Sequence, residues 1–126
     1  MITVETDNRS GVAVDADAAE ALARSVLSAE GVSDGELGIA WVGADEMRAL
    51  KREHLGVDES TDVLSFPIDG RDAVPAGVPR ALGDVVLCPT VVGAEWRAPL
   101  VHGLLHLLGF DHGDVMAARE REHARR

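Results

Sequence analysis

The chain has 126 residues, 46% hydrophobic and 27% charged, with one cysteine and a formal net charge of −10. That length fits one domain over 1–126 with its own core, and the lone Cys88 excludes an internal disulfide and suits a reducing cytosol. The acidic balance repels nucleic acid at long range, so any RNA function needs a local basic surface or a partner that presents the substrate.

The opening residues combine no basic stretch with an apolar one, so no signal peptide is expected. No apolar run approaches the roughly 18 residues of a membrane span. Ile2-Thr-Val-Glu is β-like and is followed by a turn at Asn8-Arg-Ser-Gly11. Asp15 or Asp17 can cap a helix running to about Glu30, with Ala19, Leu22, Ala23, Val26 and Leu27 on its inner face. After the loop Gly31 to Gly35, Leu37 to Val42 reads as a strand. Met47, Leu50, His54 and Leu55 repeat at helical spacing, predicting a second helix from Ala44–Asp45 to Gly56.

Val63 to Phe66 is a short strand closed by Pro67, and the aperiodic, Gly- and Pro-rich stretch from Ile68 to Arg80 is surface loop. Val85 to Cys88 is a buried strand stopped by Pro89. Pro99 suits the first turn of a helix whose Leu100, Val101, Leu104, Leu105, Leu107 and Leu108 make it apolar on nearly every side, as core helices are. Val115 to about His123 forms a last, charged helix. Strands and helices interleave without repeat or linker, which describes a single α/β or α+β domain.

The core helix carries His102 and His106, and His112 follows shortly after it. Residues four apart share one helix face, so His102 and His106 can aim at one ion. Gly109 can end the helix in a left-handed conformation, returning the chain so that His112 approaches from the side. Three imidazoles leave a fourth tetrahedral position open, as a catalytic zinc requires. Zinc is the first candidate, with nickel, copper and iron as alternatives; the catalytic group is then a water on the metal, and no general base is assigned. Asp111 either accepts a hydrogen bond from a ligand ring or caps the turn. The spacing matches the long zinc-protease motif, but Gly103 stands where that motif has its glutamate base. Phosphodiester cleavage tolerates this loss better than amide cleavage does.

Two basic groups, Arg48, Lys51 and Arg52, and Arg119, Arg121, Arg125 and Arg126, are interleaved with glutamates and read as solvated helix faces. His54 and His123 receive no role, the latter being expected to be exposed in a charged tail.

Three segments together resemble the YbeY family of bacterial rRNA-maturation endoribonucleases. They are Asp58 to Pro67 with Thr61-Asp62-Val-Leu-Ser65-Phe66, Leu82-Gly83-Asp84-Val-Val-Leu87, and Val101 to His112. The resemblance implies a small mixed-sheet α/β fold of about four strands, with the metal-bearing helix in the core and one zinc held by His102, His106 and His112. It implies cytoplasmic, single-strand-specific RNA cleavage in 16S rRNA 3′-end maturation and small-subunit quality control, with small-subunit and assembly proteins as partners. Thr61 and Asp62 can bond backbone at a strand entry; Ser65 can contact a phosphate if its strand borders the metal groove, while Phe66 is favoured as core. The sequence departs from the family twice. His54-Leu55-Gly56 stands where many members carry an activity-linked arginine in Tyr-Arg-Gly, leaving Lys51 or Arg52 as substitutes, and the segment between Leu87 and Val101 is short. The alternatives are a ribosome-assembly factor with a zinc site that does not cut, another zinc hydrolase, and a structural zinc.

Overall fold

A computed structural model of the chain describes residues 1–54 and 62–126. Its elements run β1 (Ile2–Asn8), α1 (Ala16–Ala29), β2 (Gly35–Trp41), α2 (Ala44–Glu53), β3 (Val63–Pro67), β4 (Ala81–Leu87), α3 (Pro89–Val92), α4 (Arg97–Leu107) and α5 (Asp114–His123). The four strands form one mixed sheet in the order β1-β2-β4-β3, with β1 and β4 parallel to β2 and β3 antiparallel to β4.

Alternation along the strands sends side chains to opposite faces, and two apolar clusters result. Leu37, Ile39 and Trp41 of β2, Val63 of β3, and Val85 and Leu87 of β4 join the inner faces of α1 and α4, with Met116 of α5. Leu64 and Val86 face the other way and meet Met47, with Leu50 and Phe66 packed beside them. Thus α1 and α4 cover one face of the sheet, with α5 packed on α4, while α2 covers part of the other.

The local signals account for most boundaries. Asp15 caps α1 by accepting from the Ala18 N–H at 3.0 Å. Helix α4 starts two residues before Pro99, which costs nothing because first-turn N–H groups have no partner inside the helix. Helix α2 ends at Glu53 with His54 as its cap; the expected extension to Leu55 and Gly56 lies outside the described residues, as does Thr61. The short segment before the histidine helix holds the single turn α3.

Candidate metal centre

Helix α4 runs through the core, and its Leu100, Leu104, Leu105 and Leu107 are fully buried. His102 and His106 occupy its half-buried side one turn apart. Gly109, at φ +91°, ends the helix as expected. Its N–H bonds the His106 carbonyl at 3.0 Å, and the Phe110 N–H reaches back to Leu105 at 3.1 Å, the paired bonds of a glycine-terminated helix. The reversal carries the exposed His112 to the other two rings.

The three Nε2 atoms form a small triangle: 3.1 Å between His102 and His106, 3.0 Å between His106 and His112, and 3.3 Å between His112 and His102. Four ligands at zinc–nitrogen distances stand about 3.3 Å apart at the corners of a tetrahedron. The histidine triangle is close to one face of it.

The outer ring nitrogens explain why such crowding suits a cation. His106 Nδ1 lies 2.9 Å from the Phe110 carbonyl, which can only accept. His102 Nδ1 lies 3.3 Å from Oε2 of Glu120, which also accepts when ionised. Both Nδ1 atoms must then carry hydrogen. In neutral rings this leaves Nε2 lone pairs facing each other at 3.1 Å. Lone pairs at that separation repel, and a cation between them turns repulsion into coordination. The donor set therefore fits a metal, and these three side chains can hold one ion.

The carboxylate behind the first histidine is Glu120 of α5. Asp111 does not take that place: it is exposed, and its side chain makes no hydrogen bond among the described residues. The signal for Glu120 lay in helical periodicity. Met116, Glu120 and His123 recur at four and three residues, and Met116 and His123 are both buried. That stripe is the inner face of α5.

Ser65 lies behind the metal helix. It is 6% exposed and donates its hydroxyl to the Gly103 carbonyl at 3.1 Å. A hydroxyl committed there does not reach a phosphate in solvent, which corrects the expectation of substrate contact. Phe66 points to the opposite sheet face, edge-on to His54 at 4.8 Å between ring centres. Lys51 and Arg52 sit on α2, also across the sheet from α4. The structure does not bring them to the histidines, and Leu55 lies outside the described residues.

The expectation for His123 also fails. It is 1% exposed, with Nε2 2.6 Å from Oε2 of Glu30, itself buried. Arg126 donates to Nδ1 at 2.9 Å, so Nε2 carries the hydrogen given to Glu30. Arg71 and Arg119 approach the same carboxylate. The apparent charged tail is a packed helix tied to α1.

Residues 3–126 match the family model described as Endoribonuclease YbeY. Curated proteins of that name are similar along most of their length. One from Salinispora tropica is 38% identical, covering 94% of this chain and 88% of the relative. One from Chloroflexus aurantiacus is 40% identical, with 96% and 90% covered. A solution structure of a Thermotoga maritima protein superimposes with a TM-score of 0.55 at 20% identity, covering 99% of this chain and 87% of that one. At that identity the likeness concerns the fold.

Proposed function

Since the chain belongs to the Endoribonuclease YbeY family, we propose that it is a zinc-dependent endoribonuclease whose ion is held by His102, His106 and His112. One observation carries this reading: three Nε2 atoms converge at 3.0 to 3.3 Å while two of the rings give their Nδ1 hydrogens to acceptors on the far side. Zinc, when bound there, supplies a Lewis acid able to polarise a phosphoryl oxygen. His112 is the exposed member of the triad, the ring that a strand arriving from solvent would meet.

The substrate we propose is single-stranded RNA, namely the 3′ end of 16S rRNA or its precursor. The setting is cytoplasmic, on the small ribosomal subunit with its assembly proteins. Gly103 supports RNA over peptide as the substrate. A Cβ at that position would stand 2.7 Å from Val85 Cγ1, so a side chain there points into the sheet and not toward the ion. A protease-type glutamate base has no room at this position.

The test is cleavage of single-stranded RNA by metal-loaded protein, alongside His102→Ala, His106→Ala and chelator-treated samples. Loss of cleavage in all three is expected. Cleavage surviving all three would exclude the metal mechanism. A second reading, a small-subunit assembly factor that binds without cutting, is favoured by the net charge of −10 and by the placement of Lys51 and Arg52 across the sheet. Co-sedimentation with small subunits, without cleavage under any divalent metal, would select it.

A further inference from the structure

Resting on that reading of the metal centre, we propose that Glu120 is the positioning residue for His102, fixing the ring so that Nε2 faces the ion. The two atoms that meet are His102 Nδ1 and Glu120 Oε2, at 3.3 Å. An imidazole on a helix can flip about its outer bond and present either nitrogen. A carboxylate on the Nδ1 side removes that freedom, because Nδ1–H is the form it stabilises and the lone pair is then confined to Nε2. It also makes Nε2 a better electron donor. His106 has the equivalent support from a backbone carbonyl, at 2.9 Å from Phe110. The two helix-borne rings are thus held by different means, one of them a side chain that substitution can remove.

The support is itself held. Glu120 lies between Met116, buried in the main core, and His123, buried against Glu30 at 2.6 Å. Both ends of the α5 face that carries Glu120 are therefore fixed. The carboxylate is 37% exposed and His102 is 23% exposed, so the pair sits at the edge of the core, where it can be altered without opening the interior. Glu120 does not double as the missing general base by this geometry. It approaches the ring from the Nδ1 side, whereas the three Nε2 atoms converge on the other.

The experiment compares zinc dissociation constants of the whole chain, measured by competition with a chromophoric chelator, and visible spectra of the cobalt(II)-substituted protein. Glu120→Ala should weaken zinc binding about 10- to 100-fold and alter the cobalt bands. Glu120→Gln should weaken it less, because the amide oxygen still accepts from Nδ1–H. Glu122→Ala, on the same helix and paired with Arg119, should match the wild type. Thermal melts of the metal-free variants check that all are equally folded. Glu120→Ala binding zinc within about twofold of the wild type overturns the proposal alone. Failure of the wild type to bind zinc or cobalt overturns the metal centre, and the proposal with it. A Gln variant weaker than the Ala variant would also overturn orientation as the cause.

Discussion

Gly103→Ala tests whether the histidine helix is pressed against the sheet. The added Cβ would lie 2.7 Å from Val85 Cγ1 and 3.2 Å from both Ser65 Oγ and Val63 Cγ2. Ordinary carbon contacts begin near ~3.5 Å, so the helix must retreat by several tenths of an ångström or Val85 must leave its rotamer. Overpacking of this kind costs about 1–3 kcal/mol. Replacing glycine inside a helix returns about 1 kcal/mol through propensity. The net expectation is a loss of up to about 2 kcal/mol, at roughly 3–6 °C of Tm per kcal/mol for a domain of this size. Urea and thermal unfolding of the metal-free protein measure it. In a Val85→Ala background the contact is absent, so the same substitution should cost less, with a coupling of at least about 0.5 kcal/mol. A Gly103→Ala protein as stable as the wild type, with no coupling to Val85, would refute the argument that packing dictates glycine there.

Ser65→Ala should lose about 1 kcal/mol of stability, the usual worth of a buried hydrogen bond. It should leave RNA affinity unchanged, because the hydroxyl faces Gly103; a selective loss of RNA binding in a filter assay would contradict that placement. His123→Ala should cost about 2–3 kcal/mol by urea unfolding, less than the 3–5 for isolating a buried charge, since Arg71 and Arg119 still face Glu30. Adding zinc at 100 times its dissociation constant should stabilise the wild type by about 2.7 kcal/mol. The same addition should leave the Tm of His106→Ala unchanged, and an equal rise in that variant would place the ion elsewhere.

The sequence revealed much of this site because it is local. His102 and His106 are one turn apart, and a positive-φ glycine brings His112 back to them; helix geometry and one turn suffice to place all three. The strand and helix order was equally legible from apolar periodicity. What escaped depends on which elements meet. Glu120 reaches His102 only because α5 folds back on α4, and Glu30 meets His123 across most of the chain length. Ser65 could be placed on a strand by its neighbours, but the face it occupies follows from the register of β3 against β4, where Ser65 pairs with Val85. The helix that carries Lys51 and Arg52 was readable in the same way, but the side of the sheet on which it packs was not.

The tertiary structure also sharpens the charge problem. Arg9 is committed to Asp7 and Glu46, which hold its guanidinium above the ordinary value. Arg24, Arg48, Arg71 and Arg119 each pair with carboxylates of the chain. Arg80 is spent on the carbonyls of Gly70 and Asp72, and Arg126 on His123 and Ser25. Among the described residues Lys51, Arg52, Arg97, Arg121 and Arg125 make no ion pair, and the first two stand across the sheet. Arg97 and Arg125 line one groove beside α1 with Arg126 and Glu122. Arg97 begins the helix that carries His102, and Arg125 follows the helix that carries Glu120. Arg97 and Arg125, two of the free cations, thus lie in a groove beside α1 that none of the three histidines lines. With so few of them, the long-range field stays repulsive, and attraction must come from short-range contacts and the ion. Single-stranded binding loses about 0.7 of a power of salt per phosphate neutralised. An endoribonuclease with so few free cations should therefore hold RNA with a shallow salt dependence.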